Sequence, residues 1–75
     1  MLELRQLKAF VAIAEEGYIT RAAERLGMQQ PPLTRLLQSL ETQLGVVLME
    51  RLPRGVRPTT AGLALLDEAR DILAR

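Results

Sequence analysis

TRAAERLGMQQPPLTRLLQ, at residues 20–38, is the stretch that decides the fold. A short helix capped by Thr20 is predicted to end at Gly27, because glycine tolerates the left-handed backbone that stops a helix. The next helix is predicted to begin at Pro31 or Pro32, since a proline in the first helical turn sacrifices no hydrogen bond. The stretch thus predicts two helices joined by a short turn.

Small residues stand where these two helices must cross. Ala22 and Ala23 let the helix axes approach closely, and the glycine between the helices permits a tight turn. The apolar residues that can close a small core between the helices are Leu26, Met28, Leu33 and Leu36. The combination predicts a helix-turn-helix over about residues 19–38.

Helical periodicity precedes this motif, and a hairpin pattern follows it. A first helix is predicted up to Gly17, with an apolar side formed by Leu4, Leu7, Phe10, Val11 and Ala14. A β-branched run, a Pro/Gly turn and a short return predict a two-stranded wing over about residues 46–58. Thr59 is predicted to cap a last helix at residues 60–75. The predicted fold class is mostly α, a winged helix-turn-helix domain at residues 1–59 followed by a linker helix.

The second helix of the motif presents a polar face. In a helix-turn-helix this helix enters the DNA major groove, led by its N-terminal residues. Glutamine pairs bidentately with adenine and arginine with guanine, and no acid precedes Glu41 on this face. The alternative is a face that is only solvated. Sequence-specific binding of double-stranded DNA is the predicted function, with base contacts from Gln29, Gln30, Pro31, Pro32, Thr34, Arg35 and Gln38.

Three arginines, with no acid between them, mark the hairpin. Arg51, Arg54 and Arg57 are predicted to reach phosphates or a narrow minor groove, and Thr20 is assigned to the DNA backbone as well. The alternative is a solvated hairpin tip, with Arg51 as the arginine expected to form a structural ion pair. The sequence does not decide whether the basic residues of the first two helices contact DNA or face only solvent; these are Arg5, Lys8, Arg21 and Arg25.

The last helix is predicted to pair with a second copy of the chain. Its apolar stripe extends beyond the expected reach of the first three helices and would be an exposed patch on a monomer. Twofold pairing buries such a patch, while Leu63 or Leu65 folds back on its own domain. The predicted dimerisation residues are Leu66, Ala69, Ile72 and Leu73.

Composition narrows the range of functions. The 75 residues include no cysteine and no histidine, so we expect no disulfide and no catalytic, cofactor or metal site. No apolar run reaches the roughly 18 residues of a membrane span, which favours the cytoplasm. The net charge of +1 is weak evidence for a nucleic-acid partner, so the local clustering of arginines matters more.

Two other functions compete with DNA binding. The main rival is a winged-helix module that binds proteins, and the second is a small enzyme using scattered carboxylates.

Motifs along the whole chain resemble the LysR-type transcriptional regulators. The resemblance is carried by LRQLKAF, AAERL, QPPLTR, LMER and TTAG, at residues 4–10, 22–26, 30–35, 48–51 and 59–62. It implies a bacterial, nucleoid-associated DNA-binding domain whose targets are interrupted palindromes. It also implies a C-terminal domain beyond Arg75 that binds a small-molecule inducer, so we expect this sequence to be a fragment of a protein that is often tetrameric. The chain departs from the family pattern at Tyr18, Gln29, Leu36 and Pro58.

Overall fold

The elements follow the predicted winged helix-turn-helix order. The computed structural model describes residues 2–75, and within that range it contains four helices and one two-stranded sheet. The elements are α1 (Leu4–Glu16), α2 (Ile19–Leu26), α3 (Gln30–Leu44), β1 (Met49–Arg51), β2 (Val56–Pro58) and α4 (Thr60–Ala74). The predicted fold class is confirmed.

The first helix lies at the centre of the fold. Phe10 and Ile13 are fully buried because α1 packs against α2, α3 and α4 on different sides. The expectation that Leu4 belongs to the buried side is wrong, since its side chain is 58% exposed at the very start of α1. Both ends of the buried Gln6 amide are paired: its Oε1 accepts the Glu3 N–H at 2.8 Å, and its Nε2 donates to Ser39 Oγ on α3 at 2.6 Å.

Small residues close the helix-turn-helix as predicted. Ala22 and Ala23 are buried, and Gly27 has the left-handed conformation that ends α2. The predicted N-cap at Thr20 is wrong, because α2 already begins at Ile19, whose side chain is drawn into the core. Tyr18 holds the N-cap position, without a side-chain hydrogen bond.

The third helix begins slightly earlier than predicted. Its first residue is Gln30, so that both prolines lie inside the first turn, where they displace no backbone hydrogen bond. Gly45 ends the helix in the left-handed conformation, as its position after the apolar stripe predicts.

The wing is shorter than the predicted hairpin. In the antiparallel pair, Met49 lies opposite Pro58 and Arg51 lies opposite Val56. Residues 46–48 do not join a strand, because the Glu41 carboxylate, rather than a second strand, accepts the Leu48 N–H.

The last helix begins at the predicted cap and then packs more deeply than expected. Thr59 Oγ1 accepts the Gly62 N–H at 3.0 Å. The expectation that the apolar stripe is left uncovered is wrong for Leu66 and Ala69, which are buried in the chain's own core because α1 runs alongside α4. Of the stripe, Ile72 is 41% exposed, whereas Leu73 is partly buried. Of the two leucines expected to fold back, Leu65 packs on the core and Leu63 is exposed.

Candidate nucleic-acid interface

The predicted base-contacting residues form one ridge on α3. Pro31, Arg35 and Gln38 are exposed, and Pro32 and Thr34 flank them as half-buried side chains. Helical spacing explains the ridge, because Leu33, Leu37 and Leu40 occupy the opposite side of α3 in the core. The structure therefore brings together the residues that periodicity had placed on one face.

The ridge is tied to the start of α2. Gln29, just before α3, and Gln30, its first residue, are both exposed. Gln30 Nε2 donates to Thr20 Oγ1 at 3.3 Å. Thr20 thus lies beside the start of the ridge, on the side where α2 begins.

A cleft runs along the other side of the ridge, between α1 and α3. It has a volume of about 400 Å³, and both Arg5 and Arg35 line it. Arg5 forms a highly exposed ion pair with Glu3 at 3.3 Å. Sequence periodicity does not decide whether Arg5 contacts DNA or only solvent, because it cannot show that the start of α1 lies next to α3. Lys8 lines a smaller neighbouring hollow.

The three wing arginines are exposed but differ in their partners. Arg57 Nη2 lies 2.7 Å from Glu50 Oε1, because the strand register places these two residues directly opposite each other. The structural ion pair expected of Arg51 is therefore wrong, and within residues 2–75 Arg51 forms no ion pair. Arg54, at the turn, is also without one in this range.

The wing tip is docked on the turn between α1 and α2. The Val56 N–H donates to the Gly17 carbonyl at 2.9 Å. Gly55 has a φ of +80°, and a Cβ placed there would overlap the Gly17 oxygen and touch the Tyr18 ring. The Arg21 guanidinium carbon lies over the same ring, 4.5 Å from its centroid, in a cation–π contact. The wing and the helix-turn-helix are thus joined at this turn as well as through the chain.

A second attachment joins the wing to α3. Glu41 Oε2 accepts the backbone N–H groups of Leu48 and Met49, at 2.7 and 3.3 Å. In the sequence, Glu41 is notable only as the first acid after the polar face of α3. Its position a few residues before a β-branched segment does not predict that its carboxylate accepts backbone N–H groups there.

Comparison with known proteins identifies the family. Residues 4–63 match the model of the bacterial regulatory helix-turn-helix proteins of the LysR family. The chain belongs to the LysR family. It is a helix-turn-helix DNA-binding domain of that type.

Relatives of the same family cover almost the entire chain. TcbR of Pseudomonas sp. (strain P51), an HTH-type transcriptional regulator, is 56% identical over 72 residues, which are 96% of this chain and 24% of TcbR. ClcR of Pseudomonas putida gives the same figures. The LysR-type chain thus spans about a quarter of the length of these relatives. Because they are transcriptional regulators, the small-enzyme alternative is set aside.

Solved structures of LysR-type domains share the fold closely. The CbnR DNA-binding domain in complex with DNA has a TM-score of 0.93 and 55% identity, covering 97% of this chain and 84% of that one. The BenM DNA-binding domain in complex with catB site 1 DNA has a TM-score of 0.94 and 44% identity, covering 97% and 82%. Across the described part of this LysR-type chain, no helix is both long and apolar enough to cross a membrane.

Proposed function

We propose that this domain reads a specific sequence of double-stranded DNA by placing the N-terminal half of α3 in the major groove. The carrying observation is the exposed ridge centred on Arg35 and Gln38, which has no acidic residue between Gln29 and Ser39. Arginine and amide side chains supply the donors and acceptors that distinguish base pairs there. The ridge itself therefore carries no carboxylate that phosphate would repel.

Relatives of the same shape support this proposal. The CbnR and BenM domains are described in complexes with DNA, and their backbones match this chain over 97% of its length. An α3 that docks in the same way would bring its ridge to the base edges. Base contacts are proposed for Gln29, Gln30, Pro31, Pro32, Thr34, Arg35 and Gln38.

The wing and the start of α2 are proposed to contact the DNA backbone or the minor groove. Arg51 and Arg54 are exposed and form no ion pair within residues 2–75, so both are available to phosphates. Arg57 contributes less, because Glu50 already neutralises it. Thr20, next to Gln30, is proposed to contact a phosphate where α2 begins.

We further propose that two copies pair through α4 and bind an interrupted palindrome. Burial of Leu66 moves the proposed contact to one flank of α4, where Ala61, Leu65 and Ile72 recur at helical spacing. Two recognition helices related by a twofold axis read half-sites about one helical turn, or a multiple of it, apart.

Sedimentation of matched variants tests the pairing. Ile72→Glu is expected to abolish a concentration-dependent dimer, whereas Leu63→Glu, which changes a more exposed leucine on the other flank, is expected to leave it intact. A wild-type chain that stays monomeric at high micromolar concentration, both free and on DNA, would defeat the proposed pairing.

The whole protein is proposed to be a transcription regulator of the bacterial cytoplasm, acting at the nucleoid. TcbR and ClcR are about four times as long as this chain, which leaves room for a domain that binds a small-molecule inducer and supports tetramers.

Selection of duplexes from a random pool by the purified chain tests the DNA proposal. We expect one recurring motif to be enriched; enrichment of no motif would contradict sequence-specific reading.

A further inference from the structure

A single carboxylate joins three helices, α1, α2 and α4. Glu15, near the end of α1, uses one oxygen for each of two partners. Its Oε1 lies 2.8 Å from Arg25 Nη1 on α2, and its Oε2 accepts the Arg70 Nε–H on α4 at 2.8 Å. Arg25 also reaches Glu16 at 3.3 Å. The four side chains form one charged cluster, which we call the Glu15 cluster.

Geometry distinguishes the Glu15 cluster from an ordinary surface ion pair. An isolated exposed pair contributes little, because two flexible side chains must be held in place against solvent. Here both carboxylate oxygens are occupied, and the Glu15 side chain is only 30% exposed. The two arginines hold the pKa of Glu15 below its usual range, with Arg25 making the larger contribution.

The two arginines of the Glu15 cluster lie at informative positions on α4 and α2. Ala69 is the last fully buried residue of α4, and Ile72 beyond it is exposed. The ion pair of Arg70 therefore ties α4 to α1 directly after the last fully buried residue of α4 and three residues before the partly buried Leu73. The other arm of the cluster, Arg25, lies in the last turn of α2, just before the Gly27 turn that leads into α3.

We infer that Glu15 is a positioning residue that fixes the direction of α4 relative to the helix-turn-helix, and so sets the half-site separation that a pair of domains accepts. The inference rests on the proposed function, because it requires two copies joined through α4. Rotation of α4 at Arg70 would move the partner's α3 along and around the DNA. A fixed angle consequently favours one spacing and penalises others.

The test compares spacing preference in the wild type, Glu15→Gln and Arg70→Gln. Each chain is titrated onto the duplex enriched by selection, onto versions with the spacer changed by one or two base pairs, and onto a single half-site. The control is Asp67→Asn, which removes one carboxylate from α4 that forms no ion pair within residues 2–75. Circular dichroism checks that each variant is folded.

We expect each cluster variant to reduce the penalty for altered spacing by about threefold, which lies within the range measured for partly exposed ion pairs. Affinity for the single half-site stays unchanged. A Glu15→Gln/Arg70→Gln double variant behaves like Glu15→Gln alone, since that change already removes the Glu15–Arg70 contact. The control keeps the wild-type penalty.

Two results would overturn the inference, and they are distinguishable. If folded Glu15→Gln keeps the full wild-type spacing penalty, Glu15 does not set the spacing, although the proposed function stands. If the wild type binds single half-sites as tightly as paired ones at every spacing, the proposed pairing fails and the inference fails with it.

Discussion

The Glu41 carboxylate accepts the Leu48 backbone N–H at 2.7 Å, and this bond fixes the wing to α3. The same oxygen accepts the Met49 N–H, so one side chain of α3 takes the place that a neighbouring strand would hold. A wing attached in this way has a defined position relative to the α3 ridge. Its arginines are therefore placed by the helix that we propose reads the bases.

Replacing Glu41 is expected to loosen the wing. Glu41→Ala leaves two backbone donors without their acceptor and should lower the free energy of unfolding by about 2 kcal/mol. Glu41→Gln keeps an amide oxygen that can accept one of these bonds, so its loss should be clearly smaller. Urea denaturation measures both. Equal losses in the two variants would show that charge, rather than the accepted hydrogen bonds, holds the segment.

Gly55 tests the docking of the wing tip, with Gly45 as its matched control. Both glycines have positive φ, at +80° and +67°, so alanine is strained at either position by roughly 1–2 kcal/mol. Only at position 55 would the added Cβ overlap the Gly17 oxygen, whereas at position 45 it meets nothing within 4 Å. Gly55→Ala should thus lower the Tm further than Gly45→Ala, and it alone should weaken DNA binding. Identical Tm losses, with DNA binding unaffected, would mean that the wing tip does not depend on this contact.

Features set by neighbouring residues could be predicted from the sequence. Gly27 and Gly45 end their helices because the backbone there has positive φ, and Thr59 caps α4 through its own hydroxyl. The α3 ridge follows from helical periodicity alone, since Leu33 and Leu37 fix which side is buried.

Contacts between distant segments could not be predicted in this way. Periodicity shows that Leu66 and Ala69 share an apolar face, but it cannot show that α1 covers that face. The Glu15–Arg70 bond joins residues 55 positions apart, so only the packing of α4 on α1 creates it. The Glu50–Arg57 pair depends on strand register, which short strands specify weakly.

The wing arginines should differ in their effect on the salt dependence of DNA binding. Arg54→Ala is expected to reduce the slope of log Kd against log salt by about one unit, as one phosphate contact is lost. Arg57→Ala should change it less, because Glu50 already neutralises Arg57. Titrations at several salt concentrations measure the slopes. If Arg57→Ala has the larger effect, the Glu50 pair opens on DNA and the assigned order of contributions is wrong.

The Glu15 cluster should give stability a specific pH dependence. The folded pKa of Glu15 is lowered from 4.5, mainly by Arg25 and then by Arg70, so the cluster stabilises the fold at pH values above 4.5. This contribution is lost as the pH falls through the lowered pKa. The difference in unfolding free energy between wild type and Glu15→Gln should be constant near neutral pH and shrink below pH 4.5. A difference that persists unchanged in strong acid would assign it to packing instead of charge.

Arg35→Ala tests most directly whether α3 reads base sequence. Binding of wild type and variant is measured on the selected duplex and on a duplex of the same composition in scrambled order, at one salt concentration. If α3 reads bases, the variant loses about 1–3 kcal/mol on the selected duplex, which is roughly 5- to 150-fold in Kd, and much less on the scrambled one. Equal losses on the two duplexes would contradict it, because Arg35 would then touch only phosphate; binding of neither duplex by the wild type would favour a protein partner.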